Sequence, residues 1–154
     1  MNRKLVGAGA SSIAIVIIVS IAAYSFMQPT AKPKFHPIEV TKFDMDKYRV
    51  YFKLQNLGDV KATQVNVSLT MHWEESSVLT VRAIDGNEIT SFMVSTQIPL
   101  MEAKEVNEYY ADLSTAVPKL GGISSSGSPL QAMTSYDFFI TCAENVTETV
   151  VLVA

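Results

Sequence analysis

The side chains able to carry chemistry are few: one cysteine, Cys142, and two histidines, His36 and His72, in 154 residues. A blue-copper centre needs two histidines, a cysteine and usually an axial methionine, with the last ligands gathered on one loop. The segment Cys142-Ala143-Glu144-Asn145-Val146-Thr147 supplies neither histidine nor methionine after the cysteine. His36 falls in a proline-rich stretch, and alternation puts His72 on the polar side of a strand. Copper, dicopper and zinc sites therefore all lack ligands. Cys142 reads as a small apolar residue at a strand end, and a lone cysteine leaves an extracytoplasmic fold without internal disulfides.

Nucleophilic catalysis meets the same shortage. His72 could orient a serine, but there is no Gly-x-Ser-x-Gly elbow, and Ser124-Ser125-Ser126 sits in a stretch read as a loop. Glu74 and Glu75 are adjacent at a predicted strand end, where successive side chains point to opposite faces, so they read as a solvated turn rather than an acid/base pair. Gly121-Gly122 is followed by neither a lysine nor a helix, which excludes a phosphate cradle. No catalytic residue, metal ligand or cofactor is predicted.

The elements that would position any site are strands. In Arg49–Gln55, Val50, Phe52 and Leu54 share one face. Val65, Val67, Leu69, Met71 and Trp73 alternate with Gln64, Asn66, Ser68, Thr70 and His72, which a helix would scatter around its circumference. Trp73 thereby falls in the core, against a role as a carbohydrate-stacking platform. Further strands are predicted over residues 38–43, 78–84, 89–100, 104–113, 135–142 and 146–153. Asp85-Gly86-Asn87-Glu88 and Ala143-Glu144-Asn145 serve as hairpin turns. Tyr136, Phe138, Ile140 and Cys142 share a face. Seven or eight strands at this spacing predict an all-β, antiparallel β-sandwich of immunoglobulin-like form over residues 38–154.

Residues 114–133 break the pattern. They hold three of the seven glycines, two prolines and six serines or threonines. A connection of this length is read as an interaction loop or as a poorly ordered insertion. Its apolar Val117, Leu120, Ile123 and Leu130 are candidates for a partner contact. So are aromatics that alternation assigns in part to solvent, among Phe35, Phe43, Tyr51, Phe92, Tyr109, Tyr110 and Phe139, with Tyr51 and Phe139 the clearest. Their other reading is that of ordinary strand-surface aromatics.

Residues 5–27 contain no charged residue, and ten of them are Leu, Ile, Val or Phe. As a helix this run spans about 35 Å, enough for a hydrocarbon core of about 30 Å. Its apolar side chains favour insertion by about 3–6 kcal/mol. Residues 1–28 are predicted to be a transmembrane anchor in membrane lipid, and residues 29–37 a proline-rich linker. Small-xxx-small pairs Gly7/Ser11 and Ala8/Ser12 would let helices approach closely, with each other or with a partner helix. Arg3 and Lys4 precede the run and Lys32, Lys34 and Lys42 follow it, so charge asymmetry leaves orientation open. The cationic start, the absence of acid before Glu39 and the sequons Asn66-Val67-Ser68 and Asn145-Val146-Thr147 place the C-terminal domain outside, with Asn66 and Asn145 as glycosylation candidates. A cleaved pilin-like leader and an ordinary signal peptide are the alternatives to a retained anchor. Residues 30–154 carry all 15 acidic and ten of the 12 basic groups. This balance has no basic patch and predicts no nucleic-acid partner.

The stretch Tyr51–Leu69, with Asn56-Leu57-Gly58 at its corner and an alternating valine strand after it, resembles the second-to-third strand corner of CARDB-type immunoglobulin-like domains. Ile98–Val106 is similar to the loop such domains place before their fifth strand, without the glycine often found there. An N-terminal apolar helix ahead of such a domain also resembles archaeal type IV pilins and the archaellum accessory proteins FlaF and FlaG. In Arg3-Lys4-Leu5-Val6-Gly7 two apolar residues separate the charge from the glycine, a departure from pilin leaders that favours an unprocessed accessory protein. The resemblance implies a non-enzymatic, membrane-anchored protein that binds another envelope, appendage or membrane protein. The alternatives are a homo-oligomeric filament subunit and an accessory subunit of a membrane enzyme complex.

Overall fold

Period-two alternation governs the chain from Phe35 to Val153. The computed structural model describes residues 31–75 and 78–154. The chain divides into two units, residues 1–30 and 31–154. The predicted span 5–27, with Gly7, Ala8, Ser11 and Ser12, lies outside the described residues. Among the described residues no helix is long and apolar enough to cross a membrane.

The second unit is all-β. Its strands are β1 (Phe35–Asp44), β2 (Arg49–Asn56), β3 (Ala62–Trp73), β4 (Leu79–Ala83), β5 (Glu88–Ile89), β6 (Ser91–Met101), β7 (Val106–Asp112), β8 (Leu120–Ser125), β9 (Met133–Thr141) and β10 (Thr147–Val153). Two short 3-10 turns, Leu113–Thr115 and Pro129–Ala132, are the only helical pieces among the described residues. All pairings are antiparallel and form three sheets, ordered β1-β2-β7, β10-β9-β3-β6 and β5-β4-β8.

The inward faces of the two larger sheets share one core. Val50, Phe52 and Leu54 of β2 and Val65, Val67, Leu69 and Met71 of β3 are essentially inaccessible. The Phe52 and Phe138 rings meet edge to face at 5.6 Å across the two sheets, and Trp73 meets Phe92 at 5.5 Å. Such pairs add about 0.5–1.5 kcal/mol beyond the burial of their area.

Among the described residues, ten strands in three sheets exceed the seven or eight expected of a sandwich, because a small third sheet, β5-β4-β8, is added. Three further features depart from the sequence expectation. First, β1 begins at Phe35, inside the stretch 29–37 read as a linker. Phe35 is 3% exposed, and its N–H donates to Glu148 Oε2 at 2.7 Å, so burial of one aromatic draws the segment into the sheet. Second, the strand expected over 89–100 is divided at Thr90. Glu88 and Ile89 pair with β4, whereas β6 pairs with β3 in another sheet.

Third, residues 114–133 are not one irregular connection. They hold β8, which pairs with β4 through Thr80↔Ser124 and Val81↔Ile123. Their apolar side chains needed a sheet to cover, and β4 supplies it. Glycine is required at 121, because a Cβ there would lie 2.5 Å from the Ala83 carbonyl oxygen. Of the three glycines in the segment, Gly121 is the one crowded by its neighbour, while Gly122 beside it faces open space.

Candidate functional site

The residues with chemical potential are scattered. His36 is exposed on β1, and Glu74 and Glu75 are exposed after β3. His72 Nε2 lies 2.9 Å from Asp137 Oδ2 on the solvent face of the four-stranded sheet. Ser125 Oγ donates to the Gly127 carbonyl at 2.6 Å. Cys142 is half-buried after β9, where burial and, secondly, Glu144 push its thiol up from the usual range. Among the described residues no group of three His, Cys, Asp or Glu side chains could hold a metal ion.

Glu144 is the one carboxylate strongly tuned by its surroundings. Both its oxygens accept from the Thr63 N–H at 3.0 Å, and Oε1 also accepts from Thr63 Oγ1 at 2.7 Å. These bonds favour the ionised form and hold its pKa down to about 2, from an ordinary 4.5. The Ala143 N–H donates back to the Thr63 carbonyl at 3.0 Å, so the β9–β10 turn is clasped to the start of β3. This is a structural clasp. Because the folded pKa is depressed, its stabilisation is complete above pH 4.5 and lost as pH falls toward 2. Glu144→Gln is expected to cost about 1–2 kcal/mol at neutral pH, the value of bonds to a charged acceptor. Urea unfolding of both proteins across this range should show the difference shrinking toward zero at the acid end; a pH-independent difference would refute the assignment.

The residues expected to contact a partner occupy different environments. Leu120, Ile123 and Leu130 are half-buried and pack against the core. Phe35, Phe43 and Phe92 are buried outright, at 3%, 8% and 1% exposure, so these three offer no surface. Tyr51 is half-buried on the outer face of the three-stranded sheet, where its ring lies 5.8 Å from that of Tyr110. The Arg49 guanidinium covers Tyr110 at 4.0 Å and bonds Asp112 at 3.1 Å, while Lys42 approaches Tyr51 at 6.0 Å. This face is a ladder of cations and tyrosines that satisfies itself. Phe139 is half exposed on the outer face of the four-stranded sheet, opposite Ser68 and Thr149, with exposed Val151 one pleat away.

Of the sequon asparagines, Asn145 is exposed at the β9–β10 turn with φ of 55°, and Asn66 is exposed on the outer face of β3, paired on both sides. Sequence reasoning missed an open groove of about 450 Å³ between β6 and β7, lined by Thr96–Leu100 on one side and by Glu105, Asn107–Tyr110 and Asp112 on the other. The two walls belong to different sheets, so no local pattern announces it.

No family model and no curated protein matches the chain. Among solved structures it is similar to Bacteroides uniformis beta-glucuronidase 2, at 11% identity and TM-score 0.27, covering 77% of this chain and 12% of that one. It is also similar to a Listeria innocua beta-glucosidase, at 6% identity and TM-score 0.29, covering 82% and 16%. A Vibrio harveyi GH20 exo beta-N-acetylglucosaminidase follows at 8% identity and TM-score 0.28, covering 80% and 17%. The chain thus spans less than a fifth of each, and likenesses at these scores carry no argument about its activity.

Proposed function

We propose that this chain is a membrane-anchored, extracytoplasmic interaction protein without an active site of its own. An immunoglobulin-like, CARDB-like β-sandwich is tethered by the apolar run 5–27, an architecture similar to that of archaeal type IV pilins and archaellum accessory proteins. It docks onto another envelope, appendage or membrane protein. The observation that carries this reading is the 23-residue charge-free run ahead of an all-β unit. Two sheets sharing one core and the Asn56–Gly58 corner support the immunoglobulin-like assignment. The exposed Phe139, Val151 and Val153 support a surface built for contact.

The mechanism is positional. Confining the domain to a thin layer above the bilayer raises its effective concentration for neighbouring proteins, with no new contact needed. The small residues Gly7, Ala8, Ser11 and Ser12 support helix association as a second use of the anchor, as in a filament core.

Membrane fractionation tests the reading. The full-length chain is expected to pellet with membranes, to resist high salt and alkaline extraction, and to dissolve only in detergent. Recovery from the aqueous fraction at full length would overturn it. N-terminal sequencing separates the two uses: an intact Met1 supports the accessory protein, and a new terminus near Gly7 or Gly9 supports the filament subunit.

A further inference from the structure

Each of the two larger sheets ends on one side at the groove between β6 and β7. β7 pairs with β2 on one side and with no strand on the other. β6 is largely closed. Val117 forms a bridge with Met93, Thr115 Oγ1 receives the Ser95 N–H at 3.0 Å, and Pro99 has no N–H to offer. β7 is guarded only by its acidic side chains, Glu108 and Asp112. Its register with β2 is uninterrupted by any bulge, and Val106–Asp112 contains neither lysine nor proline. β1, the opposite edge of the same sheet, has two register shifts, Pro37 and Lys42.

Charge narrows the occupant. Glu105, Glu108 and Asp112 line the groove and no lysine or arginine does. Arg49 neutralises Asp112, but Lys53, opposite Glu108 in the register, is drawn to Glu39 at 2.7 Å. Among the described residues Glu105 and Glu108 have no cation in ion-pair contact; Glu108 Oε1 accepts only from Thr41 Oγ1 at 2.6 Å, and Glu105 only from the Glu102 N–H and Asn107 Nδ2, so their charge is left uncompensated. Two β7 strands side by side would bring like charges together on one face, so a second copy is a poor fit. Tyr109 also lines the groove, with its hydroxyl buried beside Asn107, so it offers an incoming strand the apolar part of its ring.

We infer that the free edge of β7 accepts an added strand from a partner protein, and that this strand alternates cationic and apolar residues. Glu108 lies on the outer face of the sheet beyond the pairing of Arg49 with Tyr110 and Asp112, so a cationic side chain of the added strand falls beside it. The intervening apolar side chains turn inward over Tyr109 and Leu100. Main-chain bonds supply affinity and the alternation supplies selectivity.

The partner chemistry deepens the docking role proposed above and rests on it for biological meaning, but the edge can be tested alone. The full-length chain in non-ionic detergent is mixed with a capped Lys/Val alternating heptapeptide or with its Glu/Val counterpart, and amide exchange is followed by mass spectrometry. Slowed exchange confined to residues 106–112 with the Lys/Val peptide alone is expected. A Glu105→Lys/Glu108→Lys variant of unchanged Tm is expected to weaken this binding about tenfold, since each exposed charge contributes modestly. Equal binding of the Glu/Val peptide, protection on other strands, or none at about 1 mM peptide, a very weak affinity, would overturn the proposal. A chain that stays with membranes yet shows no protection discards the added strand alone. A chain recovered without detergent discards the anchor and leaves the groove result standing.

Discussion

Phe52→Ala is expected to destabilise the domain by about 3–5 kcal/mol, the usual cost of emptying a buried aromatic site. Phe52 is fully buried, with its ring 5.6 Å from Phe138 and 6.3 Å from Tyr109. It therefore joins β2 to β9 of the facing sheet and to β7 beside it. Neighbours on two other strands, in different sheets, cannot both collapse inward, so the void persists and its lining loses contacts outright. For a domain whose whole stability is of order 5–15 kcal/mol this is a large fraction. Thermal unfolding of Phe52→Ala and Phe52→Leu provides the check. The leucine variant keeps most of the apolar volume and should lose much less. Equal losses would show that ring geometry, and not filled volume, sets the cost.

Asn56→Ala is expected to cost about 2–4 kcal/mol through a different route, the stranding of buried polar groups that each cost about 1–3 kcal/mol when unpaired. The Asn56 side chain is fully buried at the end of β2. Its Oδ1 accepts from the Gly58 N–H at 3.0 Å and the Lys34 N–H at 3.3 Å, and its Nδ2 donates to the Val60 and Glu102 carbonyls at 2.8 and 3.1 Å. One amide thus ties together the chain entering β1, the corner between the two large sheets and the turn before β7. Asn56→Asp is the sharper variant. It retains the acceptor but replaces the donor with an oxygen facing two carbonyls, so it should fare no better than alanine. Urea titrations at fixed m-value measure both; an aspartate variant close to the parent would show that the donor side carries nothing.

The Asn56-Leu57-Gly58 corner shows how a correct reading can rest on an incomplete reason. The sequence points to a turn there, and a turn connects β2 to β3. Glycine is required at 58 for space and not for a left-handed backbone, since a Cβ would lie 2.7 Å from the Lys32 carbonyl oxygen and 2.8 Å from Pro33 Cα. That crowding comes from a segment more than 20 residues away in the chain, and no turn rule contains it. Residues 114–133 fail in the opposite direction. Glycine and serine there suggest a loop, yet close approach to Ala83 makes Gly121 part of a strand.

What the chain determines by itself is its local periodicity. Alternation in β2, β3 and β9 identified the buried side chains before any pairing was known, because a strand turns successive residues to opposite faces whatever lies beside it. The 23-residue uncharged run is equally self-evident, since partition into lipid depends on composition over one segment. Tertiary structure alone decided which strands became neighbours, where β5 parts from β6, and that Glu144 should clasp Thr63 across 81 residues. It also decided that two edges in different sheets should enclose an acidic groove. Such features arise from groups far apart in the chain, and their free energy appears only when folding brings them within bonding distance.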